Sequence, residues 1–316
     1  MKVITLHHPH SIEVNDLPPL SMALGYFDGV HRGHQEVIGT AVDKAKELNI
    51  ESAVMTFDPH PSVVLGRKHK HVQYITPLSD KTEIIQNLGV DYLFIVRFTS
   101  EFANLHPQEF IDQYVIGLHI QHVVAGFDYT YGRLGKGTME SLPFHSRNMF
   151  QSTVIPKLEM EEEKVSSTLI RHHLKEGNMG EANELLGRSY SMTGTVIHGD
   201  KRGRKIGFPT ANITPSDEYI TPKIGVYAVR LYIYDTWYNG VCNVGYKPTF
   251  KNPNDYSLSI EVHIFNFDSS IYGEEVKIEW HERLRDEKKF NGIEQLITQI
   301  EKDKGRALEY FQNLNA

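Results

Sequence analysis

The chain carries a single cysteine, Cys242, among 316 residues, so no disulfide can form within it and a reducing compartment is the expected setting. No stretch reaches the roughly 18 consecutive apolar residues that a membrane-spanning helix requires. The opening residues, M-K-V-I-T-L-H-H-P-H, lack the apolar core of a secretory signal, and a cytoplasmic location with no membrane partner is expected. Basic charge is also in short supply. Lys and Arg number 33 against 40 Asp and Glu, for a formal net charge of -7, which excludes a protein whose main task is coating nucleic acid. A Walker A loop, G-x-x-x-x-G-K-[ST], is absent, so any nucleotide is held by other means. There is no internal repeat and no low-complexity tract. The sequence leaves the oligomeric state open.

What is present suits a globular chain of two domains, with 40% hydrophobic and 23% charged residues. Through the first half, short apolar runs alternate with helical periods. S-M-A-L-G-Y-F (21–27) leads into a segment where Val37, Ile38, Ala41, Val42, Ala45 and Leu48 share one helical face. E-S-A-V-M-T-F (51–57), Y-L-F-I-V-R-F (92–98) and Q-H-V-V-A-G-F (121–127) follow, separated by further helical stretches. This alternation predicts an α/β, Rossmann-like doubly wound parallel sheet, whose ligands bind at the carboxyl ends of the strands. Residues 166–188 read as one or two helices. Closely spaced strands then run without intervening helices, predicting an antiparallel β-barrel. A last helix carries Ile293, Leu296, Ile297 and Ile300 at helical spacing. The expected domains are 1–185 and 186–316.

G-Y-F-D-G-V-H-R-G-H (25–34) sits at a strand-to-helix turn, where free N–H groups and the helix dipole favour an anion. Imidazoles at His31 and His34 can donate to phosphoryl oxygens as charge builds, while Gly29 and Gly33 admit a close backbone approach. V-S-S-T-L-I-R (165–171) places Ser166, Ser167 and Thr168 at a helix start, with Arg171 about one turn on. These hydroxyls could simply cap the helix. With Arg171 beside them they also suit the β- and γ-phosphates of a nucleotide. In the second half, Thr210 and Asn212 of P-T-A-N offer hard oxygen ligands one residue apart, suited to Mg²⁺ carrying ATP phosphates. Gly199, Gly203 and Gly207 precede them in a loop able to fold over phosphates. The groupings H-H-P-H (7–10), H-K-H (69–71) and H-H (172–173) lack a companion ligand set and are read as solvated.

In chain order, L-G-Y-F-D-G-V-H-R-G-H-Q, T-F-D-P-H-P (56–61), G-F-D-Y-T-Y-G (126–132) and V-S-S-T-L-I-R resemble the amino-terminal half of the bifunctional riboflavin kinase/FMN adenylyltransferases, the prokaryotic FAD synthetases. G-D-K-R-G-R-K-I-G-F-P-T-A-N-I (199–213), N-V-G-Y-K-P-T-F (243–250), I-E-V-H-I-F-N-F (260–267) and L-R-D-E-K-K-F (284–290) resemble their kinase half. The resemblance implies that riboflavin and ATP give FMN in the barrel, and that FMN and ATP give FAD and pyrophosphate in the parallel-sheet domain.

It further implies that His31 and His34 stabilise the α-phosphate of ATP and that Gly25, Phe27, Gly29 and Gly33 line the nucleotide. Asp128 would sit beside the nucleotide and its Mg²⁺, Ser166, Thr168 and Arg171 would hold the departing pyrophosphate, and Ser167 would contact the nucleotide. Phe57, Asp58, Pro59, His60 and Pro61 would form the flavin site. In the barrel, Gly199, Lys205 and Gly207 would contact nucleotide, Glu261 would take the proton from the riboflavin 5′-hydroxyl, and Arg285 would touch the flavin loop. Val262, Asn266, Lys247 and Leu169 depart from the residues common at their positions, without removing any group assigned to chemistry. An aminoacyl-tRNA synthetase-like enzyme also places an H-x-G-H signature over ATP, but the chain lacks a lysine-rich K-M-S-K-S-like loop and the charge to grip tRNA.

Overall fold

The computed structural model describes residues 1–66, 72–160, 163–199, 202–248 and 256–314. Leu20–Leu24 (β2) is buried at every position, as a strand covered on both faces must be. Around it lie β1 (Lys2–Leu6), β3 (Glu51–Asp58), β4 (Tyr92–Arg97), β5 (Ile120–Gly126) and β6 (Gln151–Ile155). The six form a parallel sheet in the order β1-β4-β3-β2-β5-β6. From β2 the chain moves through helix α1 (Arg32–Leu48) to β3 on one side, and later returns to β5 on the other. The order therefore reverses at β2, and the crevice beyond the carboxyl ends of β2 and β5 is the switch point of the doubly wound sheet.

Helix α1 buries Val37, Ile38, Ala41, Val42 and Ala45, the stripe its periodicity predicts. Leu48, expected on the same stripe, is exposed, because the helix ends there and Asn49 turns into the left-handed region at φ 54°. Helix α2 (Leu78–Asn87) buries Lys81 and Ile85. Edge strands β1 and β6 were not anticipated from the sequence. Each exposes most of its residues, which breaks the apolar runs that mark the central strands.

Tertiary contacts divide the chain into Met1–Ser167 and Thr168–Ala316, earlier than the boundary near residue 185 expected from composition. The physical reason lies in the two helices that follow, α3 (Ser167–Glu176) and α4 (Met179–Leu186). Asn183 of α4 donates to the Trp280 carbonyl at 2.8 Å and accepts from the Tyr190 amide at 2.7 Å. Lys223 N–H donates to the Leu174 carbonyl at 3.2 Å.

The second unit is built on β7 (Tyr190–Ile197), β8 (Ala211–Pro215), β9 (Gly225–Ile233), β10 (Thr236–Pro248), β11 (Tyr256–Ile264) and β12 (Glu275–Arg285). All neighbours are antiparallel, and the order β7-β8-β11-β10-β9-β12 closes into a barrel as β12 pairs with β7. Closure removes exposed edges. Helix α5 (Ile293–Leu314) covers one side through Ala307 and Phe311, which pack with Val226, Ala228 and Leu284. Ile293, expected in its packing stripe, is exposed, and Leu296, Ile297 and Ile300 are half-buried. The residues that bury fully are Asp303, Ala307 and Phe311.

Candidate active sites

In the first unit, Leu24 of β2 pairs with Ala125 of β5, so the turns that follow both strands open on the same crevice. Phe27 and Val30 take positive φ values of 57° and 39°, with Gly29 at 86°, and this tight path turns His31 into the N-cap of α1. The His31 Nδ1 accepts from the His34 backbone N–H at 3.3 Å. With Nδ1 an acceptor, the imidazole proton resides on Nε2, which makes that atom a donor. The two rings stack, with centroids 3.5 Å apart and planes inclined by 17°. Phe27 closes on His34 edge to face at 5.2 Å. A Cβ at Gly25 would lie 2.7 Å from the Phe27 ring, so glycine is required there for the ring to fold back. At Gly33 a Cβ would stand 3.4 Å from His31, ordinary contact.

Asp28, buried within the same turn, accepts from the N–H groups of Ile75 and Thr76 at 3.1 and 3.2 Å. Its carbonyl accepts from Ser167 Oγ at 2.9 Å. The S-S-T segment thus enters the neighbourhood of the two histidines through Ser167, with Ser166 half-buried just before it. Thr168 and Arg171 belong to the second unit, where Thr168 is exposed and Arg171 half-buried on α3. At the end of β5, exposed Asp128 is ion-paired with Lys164, whose ammonium also lies 4.8 Å from the centre of the Phe127 ring.

The T-F-D-P-H-P loop follows β3. Phe57 is buried against Phe98 and Phe102. Asp58 pairs with Arg97, and Pro59 follows it through a cis peptide bond. His60 caps a short helix, Pro61–Leu65, by accepting from the Ser62 N–H at 3.1 Å. Its ring meets the Tyr26 ring at 4.4 Å, edge to face. The loops after β2 and β3 therefore touch through Tyr26 and His60.

In the barrel, Asn212 of β8 pairs with Glu261 of β11, which pairs with Asn243 of β10. Asn243 pairs in turn with Val226 of β9, and Val226 with Arg285 of β12. Cross-strand partners point to the same face, so Asn212, Glu261 and Arg285 lie along one row of the sheet. Their neighbours Ala211, Val262 and Cys242 are buried on the other face. Burial pushes the Cys242 thiol well up, with the nearby Glu261 carboxylate adding to the effect. Ser259 Oγ donates to Glu261 Oε1 at 3.2 Å.

A cavity of about 240 Å³ opens at Asn212 and is lined also by Gly199, Arg204 and Thr210 and by the apolar Ala211, Val262 and Ile264; Glu261 does not line it. A Cβ at Gly199 would lie 2.2 Å from Asn212 Nδ2, so the amide occupies the space that glycine leaves. Gly207 has φ +86°, a conformation suited to glycine. The side chain of Lys205 and the whole of Lys201 lie outside the described residues. Arg285 forks onto buried Asp303 of α5, with Nε at 3.0 Å from each carboxylate oxygen and Nη2 at 2.7 Å from Oδ2.

Three residues of these surroundings escaped the sequence reading: Asp28, Asn243 and Lys81. Asp28 lies inside the quoted motif but looks like a loop carboxylate. Asn243 enters only through strand register. Lys81 carried a faint signal, standing four residues before Ile85 on the buried face of α2.

A parallel sheet with two stacked histidines at its switch point, followed by a closed barrel with a cavity at Thr210 and Asn212, fits the class of two-part nucleotide-dependent transferases. Comparison with known proteins makes this particular. Residues 14–169 match the FAD synthetase family model and 186–311 the riboflavin kinase model. The bifunctional riboflavin kinase/FMN adenylyltransferase of Bacillus subtilis is 52% identical, covering 99% of each chain. That of Listeria monocytogenes is 50% identical with the same coverage. A solved structure described as a macrolide-efflux protein from Streptococcus pneumoniae superposes with TM-score 0.87 at 35% identity, over 96% of this chain and 98% of that one. The chain belongs to the family of bifunctional riboflavin kinase/FMN adenylyltransferases. Its substrates and products are riboflavin, FMN, FAD and ATP, with the kinase in the carboxyl-terminal half and the adenylyltransferase in the amino-terminal half.

Proposed function

We propose that His31, His34 and Arg171 are the catalytic groups of adenylyl transfer and Glu261 the base of the kinase. In the first half the FMN phosphate is itself the nucleophile, so the step needs orientation and charge stabilisation more than a base. His31 Nε2–H and the His34 ring donate to the α-phosphoryl oxygens as charge builds on them. The N-terminus of α1, with Gly25, Phe27, Gly29 and Gly33, cradles the nucleotide. Ser166, Thr168 and Arg171 receive pyrophosphate, and Ser167 contacts the nucleotide. Phe57 to Pro61 shape the flavin side, Phe57 as the packed floor and His60 at the rim. In the kinase half, Glu261 accepts the riboflavin 5′-hydroxyl proton as that oxygen attacks the γ-phosphate. Gly199, Lys205 and Gly207 belong to the loop over the ATP phosphates. Arg285, held by Asp303, contacts the flavin loop.

Mg²⁺ fits the donors present: the Thr210 hydroxyl and Asn212 amide oxygen are hard ligands on one cavity, and the Asp128 carboxylate is exposed at the end of β5. Bound there, the ion would neutralise phosphate charge. By activity we assign residues 1–185 to the adenylyltransferase domain, although α3 and α4 pack with the second unit, and 186–316 to the kinase domain, in a cytoplasmic enzyme.

The observation that carries the reading is the register that sets Asn212 directly opposite Glu261, so that the amide proposed to hold Mg²⁺ stands beside the proposed base. The test is a time course of riboflavin, FMN and FAD in excess Mg-ATP. His34→Ala should stop the course at FMN, while Glu261→Ala should block riboflavin consumption yet convert supplied FMN to FAD. Loss of both reactions in either folded variant would overturn the assignment.

A further inference from the structure

Lys81 is buried beneath the loops that follow β2 and β3, at 2% exposure, and nothing in the reaction just described uses it. Its ammonium donates to the Tyr26 carbonyl at 2.9 Å and to Thr56 Oγ1 at 3.3 Å. It also lies 4.2 Å from the centre of the Tyr26 ring. Thr56 Oγ1 donates to that same carbonyl at 2.8 Å. Tyr26 immediately precedes Phe27, and its ring supports His60. Thr56 opens the T-F-D-P-H-P loop. One cation thus fastens the backbone of the histidine turn to the end of the neighbouring strand.

Desolvating an ammonium is expensive, and an apolar side chain would fill the site without that cost. The contacts made in return hold two loops, not the core. We propose that Lys81 is a positioning residue for adenylyl transfer: its ammonium locks Tyr26 against Thr56, fixing the His31/His34 turn relative to the flavin-side loop. It acts through those residues and touches no substrate. The inference rests on the assignment of that turn to adenylyl transfer.

The charge state of Lys81 offers a readout that a space-filling role would not move. Burial brings its ammonium down to about 8, opposed by the carboxylates of Asp28 and Asp58. The other titratable neighbours are Tyr26 with its hydrogen-bond partner Tyr74, His60, and Arg97 paired to Asp58. Above that pH the clamp loses its charge.

The experiment compares wild type, Lys81→Met and His34→Ala in the full chain. FMN-to-FAD and riboflavin-to-FMN rates are measured from pH 7.5 to 9.5. Lys81→Met should lower kcat for FAD formation by about 30-fold at pH 7.5, the scale of a small misplacement of reacting groups, with kinase activity within twofold of wild type. The wild-type advantage should shrink to under about fivefold at pH 9.5 as wild type loses its own clamp. A ratio constant with pH, or FAD formation within threefold of wild type at pH 7.5, overturns the proposal. If His34→Ala keeps FAD formation, the underlying site assignment falls instead, and the proposal with it. Should Lys81→Met lose its fold, wild type decides. Its FAD formation, and not its FMN formation, must decline across this range while its melting temperature does not fall, and a flat profile refutes the inference.

Discussion

Asn212 and Glu261 stand directly opposite one another on β8 and β11, although 48 positions separate them in the chain. The antiparallel register turns two unrelated motifs into one surface, with an amide beside a carboxylate and a cavity at its edge. Asn212→Ala should therefore act on the kinase alone. We expect FMN formation to fall at least about tenfold, with a higher Mg²⁺ requirement, because the substitution removes the amide oxygen proposed to ligate Mg²⁺. Conversion of supplied FMN to FAD should be unchanged. Magnesium titrations of both reactions check this, and an unaltered Mg²⁺ dependence of the kinase would remove Asn212 from the metal site.

Gly199 and Gly207 should respond differently to alanine. At Gly199 the new Cβ would fall 2.2 Å from Asn212 Nδ2 and 2.7 Å from Oδ1, so the amide has to move. At Gly207 nothing lies within 4 Å, and only the φ of +86° opposes the side chain, a backbone cost of about 1–2 kcal/mol. Gly199→Ala should thus damage kinase turnover more than Gly207→Ala does, while FAD formation stays at the wild-type rate in both. Steady-state kinetics of the two single variants test the order.

The parts of this molecule that were legible in the sequence are those where one segment meets one environment. Helix α1 shows its buried stripe because α1 lies against a single sheet, and β2 shows its apolar run because both its faces are covered. Edge strands β1 and β6 did not announce themselves, since solvent on one side erases the pattern. Helix α5 misled in another way. Its isoleucines catch the eye, yet its firmest anchors include a carboxylate, Asp303, and a small residue, Ala307. The histidine and P-T-A-N motifs could be recognised as local spacings. The row that joins Asn212, Glu261 and Arg285 could not, because register is set by long-range pairing. Lys81 was hidden by its type, lysine being a residue ordinarily left in water.

The fork of Arg285 onto Asp303 ties β12 to α5, and Gln299 adds a further hydrogen bond to the same carboxylate at 2.9 Å. Asp303 is 2% exposed and the Arg285 side chain 12%. Removing the carboxylate leaves a buried guanidinium with no counter-charge in that fork, so Asp303→Ala should cost the barrel about 3–5 kcal/mol. Denaturant unfolding followed through the barrel tryptophans, Trp237 and Trp280, measures it. Because Arg285 would lose its orientation, the KM for riboflavin should rise in the surviving folded fraction. A loss under about 1 kcal/mol would mean that the fork is replaced by water at little cost.

Lys81 makes stability and activity of the first unit run in opposite directions with pH. Its ammonium is brought from the ordinary 10.5 down to about 8 by burial, so the unfolded chain binds the proton more tightly than the folded one. Below about pH 8 the folded state carries the full penalty of a buried charge. As pH rises from about 8 to 10.5 the folded chain sheds the proton first, and the penalty is relieved. A shift of this size corresponds to about 3 kcal/mol. Relative to Lys81→Met, wild type should gain about that much stability between pH 7 and pH 10.5 in urea titrations of the two chains. Over the same interval its advantage in FAD formation should decline. Parallel loss of both quantities would mean that alkaline unfolding, rather than discharge of one lysine, limits the enzyme.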